Sequence, residues 1–302
     1  MDTGALRAYI ADKRPSLSES SVNTYASILR SLHKGAFGTV DFDPESVDKT
    51  DVIMEYLKDT PPSKRKTTLS ALVILSDNKT YRDLMMSDIK HYKEEMNLNA
   101  KTDAQRASWV TESDIAKKYK EVGKDANVLF KKENLNSAEL QRLQNYVILS
   151  VLGGMHIPVR RSKDYVDFKV RNVDKEKDNY MEKNKFCFNS YKTAKSYGKQ
   201  TIPIPRKLQT VMKKWISVAP CGTDYLLFDT NGKGLGEGNG SVKLNQRIQK
   251  IFDGKKVGVN GLRHSSLTEK FAPVVAMKQE IKETMEAMGT SPEMLDTYVK
   301  MD

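Results

Sequence analysis

Cysteine is scarce in this chain: two in 302 residues, Cys187 and Cys221, in neither a CxxC nor a zinc-finger spacing. So few thiols exclude a disulfide framework, and the expected setting is a reducing intracellular compartment. Histidine is equally thin. Four scattered His residues offer no ligand cluster, so neither a structural metal nor a metal cofactor is expected. No run of about 18 apolar residues occurs, and the first residues lack the basic-then-apolar layout of a signal peptide. Neither a membrane partner nor export is therefore expected. The Gly-rich NGKGLGEGNG lacks the strand before it and the Lys-Ser/Thr after it that a phosphate loop needs, and it reads as a flexible turn.

What is present is length and positive charge. At 302 residues and 38% hydrophobic, the chain can bury a real core and accommodates two domains more readily than one. The net charge of +11 is unevenly placed: residues 1–98 hold 14 Lys and Arg against 15 Asp and Glu, leaving 36 against 24 beyond. A basic excess confined to one region points to a polyanionic partner, because counterions released from a phosphate backbone drive binding. A solubilising surface would look the same by charge alone.

Periodicity divides the chain further. Residues 1–98 read as a bundle of four helices, with Val22, Tyr25, Ile28, Leu29 and Leu32 on one face of SESSVNTYASILRSLHK and a stop at Pro61-Pro62. Residues 99–109, NAKTDAQRASW, are polar, lack a sustained apolar period and read as a linker. The remainder, 110–302, opens on Thr111 with Asp114 three residues on, the spacing of a capping box. An apolar helix follows and ends at Gly153-Gly154. DYVDFKV, KFCFNSY and QTIPIP then read as short strands, the last two joined by the Lys-rich KTAKSYGK as a hairpin. From Pro205 onward the pattern is again helical. The expected fold class is α+β, mainly helical, with a small antiparallel sheet.

Three basic elements stand far apart: HIPVRRSKDY, the hairpin YKTAKSYGK, and NGLRHSS in KVGVNGLRHSSLTEKF, where Leu262 and Leu267 are expected to face the core. The last tyrosine lies in MLDTYVKMD. Taken singly, Arg160 and Arg161 read as surface charge, Lys192 and Lys195 as a solvated turn, His264 as a core histidine and Tyr298 as a packing aromatic. In this order, an Arg after an apolar helix, a Lys on a strand-turn-strand, a second Arg followed by His, and a Tyr near the end, they resemble the catalytic domain of tyrosine recombinases, the phage-integrase family. The likeness spans nearly the whole chain, since that family also carries a helical core-binding domain in front. The wording of PVRRSKDY, YKTAKSYGKQTIPIP and GVNGLRHSSL resembles integrases of giant viruses, virophages and Polinton-type elements.

The resemblance implies a site-specific recombinase or integrase that cleaves and rejoins DNA through a 3′-phosphotyrosine, with no metal or nucleotide. Arg161 and Arg263 would be two forks on the non-bridging phosphate oxygens. Arg161 is preferred to Arg160 because Asp164 follows it by three residues, where the family has a supporting acid. Lys192, followed by Thr193, is preferred to Lys195 as general acid for the leaving 5′ oxygen, and Tyr298 would be the nucleophile. Asn260 stands where most members have His, able to bond phosphate but not to exchange a proton near neutral pH. Thr290 stands where the family has His or Trp, and His264 would support the fold. Lys64, Arg65 and Lys66 are candidate phosphate contacts of the first domain, as are Arg160 and Lys195 of the second. The implied partner is double-stranded DNA. Only four residues follow Tyr298, so the expectation is a monomer in free solution that assembles on DNA, as a tetrameric synapse. A type IB topoisomerase shares the residue set, and a DNA-binding protein that keeps the fold without catalysis would share part of it.

Overall fold

The computed structural model describes residues 1–97, 100–236 and 239–300. The chain forms two compact units, Met1–Ala100 and Lys101–Asp302.

The first unit is helical: α1 (Thr3–Lys13), α2 (Glu19–Phe37), α3 (Thr50–Leu57), α4 (Pro62–Leu75) and α5 (Lys79–Asn97). This is one helix more than the sequence pattern gives. The extra helix, α1, starts where the Asp2 side chain accepts the Ala5 amide, and it contributes only Leu6 and Ile10 to the core, too few to show a period. Both are fully buried with Leu29, Leu69 and Leu72. The Tyr81 hydroxyl donates to the Val47 carbonyl at 2.8 Å, so its polar end is satisfied in the core.

The second unit begins inside the segment expected to be a linker. There α6 (Asp103–Ser108) forms, because Thr102 and Gln105 make a reciprocal capping box. Thr111 and Asp114 do the same for α7 (Glu112–Leu129), and Asn136 with Glu139 for α8 (Ser137–Leu152). Helix α8 is the spine of this unit: Leu143, Val147, Ile148, Leu149, Val151 and Leu152 are wholly buried, each contributing roughly 1.5–3 kcal/mol.

DYVDFKV is not a strand. Lys163–Val166 forms the short helix α9, and beyond it only Lys169 makes isolated bridges, to Tyr180 and Tyr225. The alternation misleads because Tyr165, Val166 and Phe168 are all buried, Tyr165 and Phe168 against Phe186 and Phe188. The sheet is antiparallel and three-stranded, β1 (Tyr180–Glu182), β2 (Lys185–Phe188) and β3 (Gln200–Pro203) in that order, with Phe186 opposite Ile202 and Tyr180 opposite Cys187. A single turn, α10 (Ala194–Tyr197), lies between β2 and β3. Then come α11 (Arg206–Val218), α12 (Gly240–Ile251), α13 (Val259–Ala287) and α14 (Leu295–Tyr298). The Gly-rich turn precedes α12, and its residues 237–238 lie outside the described residues.

Leu262 is buried but Leu267 is 53% exposed, against the expectation that both face the core. Five residues at 3.6 per turn carry Leu267 about 140° round α13, off the face that Leu262 and Ser265 bury. Among the described residues the fold is mainly helical α+β with one small antiparallel sheet.

Candidate functional site

Arg160 and Arg161 lie on the irregular stretch between α8 and α9, and Arg263 in the second turn of α13. Helix α13 starts where it does because the Asn245 side chain of α12 accepts the Val259 amide at 3.0 Å, and the approach is close: a Cβ on Gly258 would stand 2.7 Å from the Asn245 oxygen. From there Arg263 Nε donates to the Val159 carbonyl at 3.1 Å. Arg160, Arg161 and Arg263 all line one open depression of about 250 Å³, shared with Val159, Asp164, Tyr191, Thr193, Tyr197 and Gln200.

Three cations face one carboxylate there. Burial lowers the pKa of Arg263, and the charges of Arg161 and Arg160 lower it further, with Asp164 opposing. Burial raises the pKa of Asp164 against the pull of Arg160, Arg161 and Arg263. The depression holds uncompensated positive charge, a setting that favours an oxyanion with several acceptor oxygens.

The support expected for Arg161 belongs instead to Arg160. Asp164 Oδ2 accepts from Arg160 Nε at 2.7 Å, four residues apart across the turn into α9. Arg160 also donates to Gln200 Oε1 at 2.9 Å and lies 4.0 Å over the Phe188 ring. It is wedged between the sheet and α9 rather than offered to solvent. Asp164 Oδ1 is buried with no hydrogen-bond partner among the described residues.

The other sequence candidates fall outside this depression. Lys192 and Lys195 are exposed on the 189–199 connection and do not line it. Asn260 and His264 are exposed on α13, Thr290 is half-buried beyond it, and Tyr298 is 57% exposed on α14. Besides Val159, the lining residues given no role from sequence are Tyr191, Thr193, Tyr197 and Gln200. They belong to the Lys-rich hairpin, but no periodicity marks which of its side chains turn toward the arginines.

In the first unit Arg65 is not an open phosphate contact. Its Nε and Nη2 donate to Asp88 at 2.9 and 2.8 Å, and Asp88 is buried. Lys66 lies over the Tyr92 ring, while Lys64 is exposed. Among the described residues no group of His, Cys, Asp or Glu is arranged to hold a metal ion, and no helix is long and apolar enough to cross a membrane.

No protein-family model matches the chain, and no curated protein matches it. The crystal structure of XerA recombinase is similar over 88% of this chain and 82% of its own, at 14% identity and a TM-score of 0.34. A likeness at that level decides neither fold nor function.

Proposed function

We propose that this chain is a site-specific DNA recombinase or integrase of the tyrosine-recombinase type, akin to integrases of giant viruses, virophages and Polinton-type elements. The observation that carries the reading is the convergence of Arg160 and Arg161 with Arg263, from segments a hundred residues apart, on one depression with a single carboxylate. A phosphodiester at its transition state carries charge on both non-bridging oxygens, and two guanidinium forks held beforehand stabilise that charge without reorganising.

In this reading Arg161 and Arg263 clamp the phosphate, and Arg160 with Asp164 holds the clamp in place. In this reading Arg161 turns to Asp164 Oδ1, which has no hydrogen-bond partner among the described residues. The Tyr298 oxygen attacks phosphorus and loses its proton to solvent, while Lys192, or Lys195 on the same connection, protonates the departing 5′ oxygen. Asn260 and Thr290, outside the depression in the free chain, are assigned neutral contacts with the bound DNA, and His264 supports the helix. Residues 1–98 act as a DNA clamp through Lys64 and Lys66, residues 110–302 as the catalytic domain, and copies assemble as a tetramer on duplex DNA.

The exposed position of Tyr298, outside the depression, favours one second reading: a DNA-binding protein that has kept the fold without catalysis. One experiment separates them. Incubation with an element-end duplex, nicked so that a short 5′-hydroxyl fragment diffuses away, should trap an SDS-resistant adduct at a 3′ phosphate without Mg²⁺ or ATP. The adduct should map to Tyr298 and vanish in Tyr298→Phe while DNA binding persists. Binding without any adduct would leave the second reading standing. Relaxation of supercoiled plasmid without site preference, in place of strand transfer, would make the enzyme a type IB topoisomerase.

A further inference from the structure

We infer that Tyr197 is a further phosphate-contacting residue, its phenol hydroxyl donating to the anion held by Arg161 and Arg263; this deepens the proposed function and rests on it for the identity of the anion.

The depression has two tyrosines, and only one has a hydroxyl to offer. Tyr191 OH donates to the Gly198 carbonyl at 2.6 Å. Tyr197 makes no side-chain hydrogen bond among the described residues and is 70% exposed, although it lines the same depression as the three arginines. A large amphipathic ring left open beside a cationic depression is the form that an interfacial contact takes before its partner arrives.

Its placement is held. The Tyr197 amide donates to the Thr193 carbonyl at 3.1 Å and the Gly198 amide to the Ala194 carbonyl at 2.8 Å, closing the single turn of α10. Gly198, at φ +63, turns the chain into β3 with a backbone that side-chain-bearing residues rarely adopt. The Tyr191 hydroxyl then clamps that glycine from the core side. Nearby, Lys199 reaches the Tyr180 hydroxyl at 3.1 Å and Gln200 accepts from Arg160. Thr193, half-buried at the base of the turn, is the other hydroxyl, with a shorter reach.

The chemistry fits a neutral donor. Burial, and after it the charges of Arg161 and Arg160, already lower the pKa of Arg263; a fourth cation would add repulsion whenever the anion is absent. A phenol adds a hydrogen bond without charge. Asn260 and Thr290, expected as neutral contacts, do not line the depression, and Tyr197 does.

The test uses the full chain with 3-fluorotyrosine introduced at position 197 alone, titrated with inorganic phosphate and followed by ¹⁹F NMR. A saturable shift that disappears in Arg263→Ala is expected. No shift, or one unaffected by Arg263→Ala, overturns the inference. In a second arm, Tyr197→Phe should bind the nicked duplex within about twofold of the parent and form the Tyr298 adduct on the order of tenfold more slowly, the loss of one net hydrogen bond. An unchanged adduct rate, or an adduct mapped to Tyr197 itself, overturns it. If the parent forms no adduct at all, the proposed function fails, and the phosphate titration still decides the role of Tyr197.

Discussion

Arg263 Nε donates to the Val159 carbonyl at 3.1 Å, which fixes a guanidinium from α13 against the residue that precedes Arg160 and Arg161. The bond engages the Nε edge and leaves the two terminal nitrogens with no hydrogen-bond partner among the described residues. Lysine cannot divide its donors in this way. Arg263→Lys should therefore bind the nicked duplex with near-parental affinity yet form adduct on the order of 10²-fold more slowly. Near-parental cleavage in that variant would show that point charge alone is enough.

The buried pair of Arg160 and Asp164 makes a different prediction. Burial pushes the Asp164 carboxyl up despite its partner, so the pair is not a large net stabiliser. Removing one partner strands the other. Asp164→Asn and Arg160→Ala should each lower stability by roughly 3–5 kcal/mol in chemical denaturation, whereas the double change Arg160→Met with Asp164→Leu should fall well short of their sum. Additive losses would count against a coupled buried pair. Arg161→Ala, by contrast, should unfold like the parent and fail only at cleavage.

These residues show what the sequence can and cannot convey. Capping boxes such as Thr111 with Asp114 and Asn136 with Glu139 are local, so three letters of spacing place the starts of α7 and α8. Asp164, however, stands at reach from both Arg160 and Arg161, and only the turn into α9 decides which it meets. The buried Tyr165, Val166 and Phe168 mimic a strand because a single helical turn, with only Lys163 and Asp167 exposed on either side of the buried run, is too short to reveal its period. Tyr197 and Gln200 are set by the hairpin's geometry, and Arg65 by an aspartate 23 positions away on another helix; no local pattern encodes either.

Arg65 and Lys64 should separate cleanly. Asp88 holds Arg65 in a two-pronged, largely buried pair, so Arg65→Ala should destabilise the first unit by about 3–5 kcal/mol. Lys64→Ala should leave stability within about 0.5 kcal/mol, and if Lys64 meets a phosphate it should reduce the slope of log K against log salt by about 0.9. An unchanged slope would remove Lys64 from the DNA interface.

His156 makes stability depend on pH. Its Nε2 is hydrogen-bonded to the Tyr119 hydroxyl at 2.8 Å, and burial, helped by the charge of Lys207, lowers its pKa below the ordinary 6.5. A lowered folded value means that the unfolded chain takes up the proton first. The contribution is present above pH 6.5 and is lost as pH falls through the folded value. Denaturation midpoints measured from pH 7.5 down to 5.5 should fall for the parent more steeply than for His156→Gln. Parallel curves would mean that His156 charges without penalty.

The last prediction concerns how Tyr298 reaches the arginines. Arg263 is in the second turn of α13 and Tyr298 lies beyond its far end. At about 1.5 Å per residue the helix axis from Arg263 to Ala287 is roughly 36 Å long. The chain beyond is tied to the end of that helix: the Thr290 amide donates to the Met285 carbonyl at 2.9 Å, Met285 is buried there, and Tyr298 follows Thr290 by eight residues. Between them the helix contains Pro273, which supplies no amide to the ladder and is the natural break, and Leu267, Phe271, Val274, Val275 and Met277 are exposed around it. If cleavage uses the chain's own tyrosine, α13 must bend at Pro273 on DNA, covering those side chains. Spin labels at Lys195→Cys and Thr297→Cys, with Cys221→Ser, should report a long separation in the free protein and a markedly shorter one on element-end DNA. Pro273→Ala should bind DNA normally and slow both the approach and adduct formation. Full cleavage with an unchanged label distance would mean that the attacking tyrosine comes from another copy.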